Sequence, residues 1–347
     1  MNTLDRQAAA SQLQEAFIPR RFLRNGHVQT IAGNFLPRRH PALPPPEARL
    51  VEVEAATSTR PASNVLCHCH WQPLDVRASR TTLLLLHGLE GSSQSQYVIG
   101  NAARAWAAGF NVIRMNMRNC GGTAKLSPTL YHSGYSQDVA EVMNTFVHEY
   151  GCVSFALAGY SMGGNLVLKL AGELGNNAPA FLKAVIGVSP AMDLAASADA
   201  LHEPWNRVYE WKFLRGLLRR YARKVELFPD IYKTTSTHGV RTLRQFDDRI
   251  TAAYSGFTGA DDYYARCSSA RFASTIAVPT LILHSLDDPF VRMLPATRET
   301  LLKNPHVQLR ETSHGGHCAF LEPRTLDHDG YWAEKILLRF VSECAGS

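Results

Sequence analysis

Gly159-Tyr160-Ser161-Met162-Gly163 sets a serine between two glycines, each two residues away. That spacing suits a strand that turns sharply into a helix with the serine at the apex, because neighbours two positions away must be small where the backbone folds back on itself. A serine hydroxyl is a poor nucleophile at neutral pH, so acyl transfer through Ser161 needs a base to take its proton and an acid to hold that base. In strand-turn-helix sites of this kind the order along the chain is serine, then Asp or Glu, then histidine.

Two carboxylates qualify as the acid. Val278-Pro279-Thr280-Leu281-Ile282-Leu283-His284-Ser285-Leu286-Asp287-Asp288-Pro289 is an apolar strand followed by an acidic loop. Asp288 lies five positions beyond Leu283 and is preferred on loop placement, leaving Asp287 as the alternative or as a solvated turn aspartate. The base follows one more strand, His306 to Arg310, in Ser313-His314-Gly315-Gly316-His317. Two glycines let that loop approach the serine turn, and His317 directly after them is the expected base; His314 is the alternative, otherwise a loop residue or a supporting partner. The oxyanion of a tetrahedral intermediate needs backbone donors. One is the Met162 N–H, at the start of the helix after the serine. The second is expected from His87-Gly88-Leu89-Glu90-Gly91, at the Leu89 N–H.

These residues need a sheet to hold them. Leu50 to Glu54 and Asn64 to Trp71 alternate, as half-exposed antiparallel edge strands do. Thr81 to Leu86 is continuously apolar, as is a strand covered on both faces. Asn111 to Asn116, Val153 to Ala158, Ala184 to Val188 and Thr280 to Leu283 repeat that character. Helical stretches lie between them at Ser95 to Ala108, Ser136 to Tyr150 and Met162 to Leu174, and a last helix runs from about Asp329 to Cys344. Alternation of this kind implies a mostly parallel sheet built by right-handed crossovers. Residues 191–272 break the rhythm with several helices and no buried strand, and read as an inserted, mainly helical cap. The expected organisation is a strapping segment over 1–49, a core over 50–190, the cap over 191–272 and the rest of the core over 273–347. Pro37 and Pro44-Pro45-Pro46 deny backbone donors, so regular structure is expected only after them.

With 347 residues, 45% of them hydrophobic and 19% charged, the chain can bury a large core and is neither disordered nor a repeat array. Its seven cysteines are scattered and odd in number, which suits free thiols in a reducing compartment. Met1 to Glu15 lacks the apolar run of a secretory signal, and nowhere do about 18 apolar residues run together, so a soluble, cytoplasmic protein is expected. The net charge of +6 favours anionic surfaces, but no nucleic-acid motif accompanies it.

Taken together, these residues resemble the YheT-like branch of the α/β-hydrolase superfamily, with the plant EMB8-type proteins and the animal ABHD1/ABHD3-type lipases. The resemblance runs along most of the chain: Arg24-Asn25-Gly26-His27-Val28-Gln29-Thr30, His87 to Ser92, Arg118 to Gly122, Tyr131 to Gly134, the serine turn, Phe246-Asp247-Asp248 with Ile250-Thr251-Ala252, Asp262-Tyr263-Tyr264 with Cys267-Ser268, Asp287 to Phe290 and Gly315-Gly316-His317. It implies an α/β-hydrolase fold, the triad Ser161, Asp288 and His317, and short- to medium-chain carboxylesterase or acylglycerol lipase activity. Asn119 stands where many relatives have glycine, which bears on pocket shape rather than on the triad.

Four other features have competing readings. In Cys67-His68-Cys69-His70, alternate strand residues face opposite ways, so only two of the four can share a metal, and ordinary strand residues are the better reading. Trp205 to Val225 mixes apolar residues with Arg215, Arg219, Arg220, Arg223 and Lys224. Such a helix packs an apolar stripe on the core beneath a solvated basic face, the alternative being rest on an anionic membrane. Asp247 and Asp248 are expected to anchor the cap by capping a helix or pairing with arginine, and His132 is expected to be a buried, hydrogen-bonded histidine. The reading as a whole is hydrolysis of small-molecule carboxylic esters through an acyl-enzyme, with no metal or organic cofactor and no nucleic-acid partner. Thioester or other acyl cleavage by the same triad is the nearest alternative, and a non-catalytic binding module on the same fold the more distant one. Oligomeric state is not legible.

Overall fold

A computed structural model describes residues 15–346 apart from 234 and 327. One eight-stranded sheet carries the molecule. Its strands are β1 (Glu47–Glu54), β2 (Ser63–His70), β3 (Thr82–Leu86), β4 (Asn111–Met115), β5 (Phe155–Tyr160), β6 (Leu182–Val188), β7 (Thr280–Ser285) and β8 (Val307–Thr312). They lie in the order β1-β2-β4-β3-β5-β6-β7-β8. β1 and β2 are antiparallel at one edge; β3 to β8 pair parallel. Among the described residues the helices of eight or more residues are α1 (Gly26–Phe35), α2 (Gln96–Ala107), α3 (Ser136–Tyr150), α4 (Met162–Leu174), α5 (Leu194–His202), α6 (Arg207–Leu227), α7 (Ala260–Cys267), α8 (Pro295–Lys303) and α9 (Trp332–Ala345).

The continuous apolar runs are explained by two covered faces. In β3, Leu83 and Leu85 point into a cluster with Val98 and Ala102 of α2 and Ile336 and Leu337 of α9. Leu84 and Leu86 point the other way, into a cluster with Val139 and Phe146 of α3 and Leu166 of α4. The pleat's period of two therefore splits one run between two cores. Truncating any of these leucines to alanine would cost about 2–5 kcal/mol. β1 is an edge, and there Val51 and Val53 are buried while Leu50 is exposed.

The chain before the sheet is more ordered than its prolines suggest. Among the described residues, regular structure begins at α1, before Pro37 and Pro44 to Pro46, which corrects the expectation of an irregular strap up to them. Asn25 caps this helix by accepting hydrogen bonds from the N–H groups of His27 and Val28 at 3.0 and 3.2 Å, satisfying donors that a helix start leaves open. Past α1, Arg38 donates to both carboxylate oxygens of Glu334 at 2.7 Å and to Asp329 at 3.2 Å. Asp329 also accepts from Arg104 at 2.7 Å. Bidentate pairing of this kind fixes direction as well as distance, tying the segment to α2 and α9.

Between β6 and β7 no strand forms among the described residues, and the chain builds α5, α6, a π-helical turn over Asp247–Thr251, and α7. On α6 the expected core-facing stripe divides. Leu214, Leu217 and Tyr221 are buried, whereas Trp205 just before the helix and Val208 and Trp211 within it are exposed.

Candidate active site

Ser161 joins β5 to α4 at φ 54° and ψ −116°, a backbone region that a non-glycine residue occupies only when its surroundings force it. The surroundings explain the flanking glycines. A β-carbon at Gly163 would lie 2.4 Å from the His87 carbonyl oxygen, and one at Gly159 would lie 2.1 Å from the Gly163 carbonyl oxygen. The Ser161 N–H donates to Val188 O at 2.9 Å, anchoring the turn to β6. Asn165 of α4 donates to Ser133 O and Cys267 O at 3.1 and 2.9 Å and accepts from the Ser269 N–H at 2.8 Å.

The loop after β3 sits against this turn: a β-carbon on Gly88 would be 3.1 Å from the Ser161 Cβ. His87 fixes it from beneath. Its Nδ1 lies 2.8 Å from Gly88 O, its Nε2 accepts the Met117 N–H at 3.1 Å, and burial lowers its pKa to about 4, so the ring is neutral and Nδ1 donates. The loop's amides are then divided. Gly88 N–H donates to Tyr97 Oη at 2.8 Å and Glu90 N–H to Tyr131 Oη at 3.2 Å, while the Leu89 N–H has no acceptor among the described residues. The Met162 N–H, at the first position of α4, is in the same condition. Helix α6 clamps the loop from outside. Arg220 Nε donates to Glu90 Oε1 at 2.6 Å and its Nη1 to Asn119 O at 2.6 Å. A β-carbon at Gly216 would come within 2.0 Å of Glu90 Oε2.

Asp288 and His317 are together on the loops after β7 and β8. His317 Nδ1 is 2.8 Å from Asp288 Oδ2, and Asp288 Oδ1 accepts the N–H groups of Phe290 and Val291 at 3.1 and 2.9 Å. Burial opposes ionisation of Asp288, but the His317 charge and hydrogen bond with the two backbone donors outweigh it, so its pKa is lowered. At His317 burial likewise opposes charge, and the Cys318 and Asp288 charges outweigh it and raise the pKa. The Cys318 part of that effect operates only when the thiol is ionised. His317 Nε2 lies 3.5 Å from Cys318 Sγ. Cys318 Sγ in turn approaches Val188 O at 3.8 Å, the carbonyl that also receives the Ser161 N–H.

Asp287 and His314, the alternatives for acid and base, face each other at 3.5 Å. Asp287 is more than a solvated turn residue, since its Oδ1 accepts the Gly316 N–H at 2.8 Å and so braces the histidine loop. That loop also leans on α1. Thr30 Oγ1 accepts the His317 N–H at 2.8 Å; a β-carbon at Gly316 would be 2.4 Å from Gly26 O, and one at Gly26 would be 1.9 Å from Asp287 O. Sequence reasoning gave α1 no part in the site. The asparagine cap before Gly26 was the available signal, but a helix start says nothing about what the helix will touch. Arg220 and Tyr97 were equally beyond reach, because their partners are 130 and 9 residues away in sequence.

A cavity of about 710 Å³, including its open mouth, starts at Ser161 and Leu89. Leu194 and Leu201 of α5 and Phe213 and Leu217 of α6 give it an apolar wall; Asp247, Thr251, Tyr264 and His132 give it a polar one. Asp247 is anchored by hydroxyls rather than by arginine, accepting from Thr251 Oγ1 and Tyr264 Oη at 2.7 Å each. Burial raises its pKa to about 6 against those bonds. Asp248 Oδ1 accepts the Ala260 N–H at the start of α7, at 3.1 Å. His132 is buried, and its Nδ1 accepts the Gly134 N–H at 3.0 Å. In β2, Cys67 and Cys69 are buried in the core, His68 Nδ1 meets Ser93 Oγ at 2.7 Å and His70 Nε2 accepts from Arg114 Nε at 3.1 Å, so both histidines have protein partners.

A strand-turn-helix serine and an Asp–His pair on two later strand ends thus share one mostly parallel sheet. Residues 81–323 match the family model for the alpha/beta hydrolase fold. The chain belongs to the α/β-hydrolase family. It is 33% identical to YheT of Escherichia coli (strain K12), which carries the name of an esterase, over 92% of this chain and 90% of that protein. It is 31% identical to the phospholipase ABHD3 of Bos taurus over 71% of this chain, and spans 59% of that protein's length. The Pyrococcus furiosus esterase Pf2001 superposes with a TM-score of 0.53 at 16% identity, over 89% of this chain and 99% of that one, a likeness of fold alone. This α/β-hydrolase thus has esterase- and lipase-type homologues. Among the described residues, no helix is long and apolar enough to cross a membrane.

Proposed function

We propose that this α/β-hydrolase cleaves small-molecule carboxylic esters through an acyl-enzyme on Ser161, with His317 as base, Asp288 as the acid that orients it, and the Leu89 and Met162 amides as the oxyanion site. The observation that carries the reading is the His317 Nδ1–Asp288 Oδ2 bond of 2.8 Å on a loop docked at the Val188 carbonyl that also holds the serine turn. An imidazole that donates from Nδ1 to a carboxylate leaves Nε2 free to accept a proton.

In the reaction, Ser161 Oγ attacks the ester carbonyl carbon while its proton passes to His317 Nε2. The carbonyl oxygen becomes an oxyanion facing the Leu89 and Met162 N–H groups, which have no acceptor among the described residues. The carbon–alkoxy bond then breaks, and His317 returns the proton to the leaving alcohol. Water repeats the sequence on the acyl-enzyme, its proton going to His317 and then to Ser161 Oγ as the acid leaves. Fixed amides in a site with little water stabilise developing charge without reorganising, each contributing on the order of 3 kcal/mol.

The helices over residues 191–272 act in this proposal as a cap. The apolar wall made by α5 and α6 suits a short to medium acyl chain, because burying each methylene there contributes about 0.8 kcal/mol. Turnover of aryl esters of graded chain length by wild type and Ser161→Ala tests the assignment. The variant should lose about 10⁴-fold or more in kcat with its thermal midpoint little changed. Turnover near the wild-type level in folded Ser161→Ala would remove Ser161 from the mechanism.

A further inference from the structure

Six of the fifteen large apolar side chains that stand exposed among the described residues lie on or directly beside two neighbouring helices. On α1, Val28, Ile31 and Phe35 follow helical spacing and are 43%, 50% and 74% exposed. At the start of α6, Trp205, Val208 and Trp211 are 84%, 74% and 59% exposed. The helices touch between these sets: the His27 ring stacks on Tyr209 at 5.8 Å, and His27 Nδ1 is 3.2 Å from Tyr209 Oη. His27 lies beside Val28 and one turn before Ile31, and Tyr209 beside Val208 and one turn after Trp205. The two exposed rows therefore flank a single seam.

Cations border this patch. Arg207, Lys212, Arg215 and Arg219 of α6 and Arg21 and Arg24 ahead of α1 are exposed, and none has a carboxylate partner among the described residues. The acids near α6 are already engaged: Glu210 is buried against His202, Glu203 pairs with Arg292 and Glu226 with Arg223. Arg215 lies over the Trp211 ring at 5.3 Å and Arg21 over Phe22 at 4.9 Å, an arrangement that keeps aromatic and cation at one level, as at a headgroup boundary. A protein partner would also need cover for the bare tryptophans and some six acids to match these cations, whereas an anionic bilayer offers both in any orientation about its normal.

We propose that this face of α1 and α6 is a docking surface for an anionic lipid bilayer. Its apolar row enters the acyl boundary and its cations meet acidic headgroups. The opposite side of α6 carries Phe213 and Leu217 of the cavity wall, so docking brings the cavity to the lipid surface. The binding does not depend on the triad, and its test can fail while the ester-hydrolase reading stands.

Co-sedimentation of the full chain with vesicles of phosphatidylcholine alone and of phosphatidylcholine mixed with phosphatidylglycerol measures it. Binding is expected to the mixed vesicles, to fall with added salt, and to drop at least ten-fold both in Trp205→Ser/Trp211→Ser and in Arg215→Glu/Arg219→Glu. Both variants should keep wild-type thermal midpoints and wild-type turnover of a water-soluble short-chain ester. Equal binding to the two vesicle types, no binding to either, or binding that survives both variants would overturn the proposal. So would a stable dimer that Trp205→Ser/Trp211→Ser dissociates, because the face would then belong to a second copy of the chain.

Discussion

Asp288→Asn tests the acid assignment through a tautomer. In the wild type Asp288 Oδ1 is held by the N–H groups of Phe290 and Val291, and Oδ2 faces His317 Nδ1 at 2.8 Å. An asparagine there must keep its carbonyl oxygen toward the two backbone donors, since turning the amide round would set its NH₂ against them. Its NH₂ then faces His317 Nδ1, which has to accept, and the ring proton moves to Nε2, where it can no longer take the proton of Ser161. The volume is unchanged and both backbone bonds survive, so the loss should fall on kcat, at about 10⁴-fold, or roughly 5 kcal/mol in the barrier. Asp287→Asn keeps an oxygen for Gly316 N–H and touches no base, so it should cost about ten-fold or less. The assay is kcat and KM on one short-chain aryl ester, with circular dichroism and thermal midpoints as controls on folding. Asp288→Asn retaining a tenth of wild-type kcat, or Asp287→Asn losing more than Asp288→Asn, would refute the reasoning.

Further outcomes follow from other contacts. Since Asp288 holds the His317 pKa up, and the neutral ring is the proposed base, kcat/KM should rise with pH on a limb above the ordinary imidazole value; that limb should move down in Asp288→Asn, as a pH–rate profile would read. Gly216→Ala should gain helix propensity but push Glu90 off Arg220, lowering kcat about ten-fold with little change in thermal midpoint, and an unaltered kcat would separate α6 from the oxyanion loop. Leu217→Trp should narrow the cavity and shift preference to shorter acyl chains by about ten-fold in relative kcat/KM; a uniform loss across the chain-length series would take Leu217 out of the acyl wall. Asp247 has a folded pKa of about 6, above its unfolded value near 3.8, so its contribution to stability is present below the lower value and is lost as pH rises through the upper. Denaturant titrations should find that Asp247→Asn flattens the stability profile between those two pH values, by about 3 kcal/mol at most.

What the sequence disclosed was what is local. The runs at Thr82–Leu86 and Asn111–Met115 declare buried parallel strands because every residue in them is apolar or paired within the sheet, and the ends of α3 and α4 fall at the expected residues. β5 runs from Phe155 to Tyr160, two residues later at each end than its apolar run, and its end moves on because Gly159 and Tyr160 still pair with β6 before the turn. The Asp288–His317 contact was reachable because both residues lie in loops at the ends of neighbouring parallel strands. The supports were not. Thr30 under His317, Arg220 on Glu90 and Tyr97 on the Gly88 amide are joined by tertiary packing, and no periodicity predicts which side chain crosses a fold. The stripe of α6 misled for a related reason: period alone gives the direction of an apolar row, not the length of it that a neighbour covers.

In the proposed reaction Ser161 carries the acyl group. Mixing the enzyme with an excess of activated aryl ester, quenching in acid within the first turnover and mapping the acylated peptide by mass tests it most directly. One acyl group per chain is expected, on the peptide containing Ser161, with a burst of aryl alcohol of equal stoichiometry that vanishes in Ser161→Ala. Acylation of Cys318, whose sulfur lies 3.5 Å from His317 Nε2, or a burst that persists in Ser161→Ala, would contradict it.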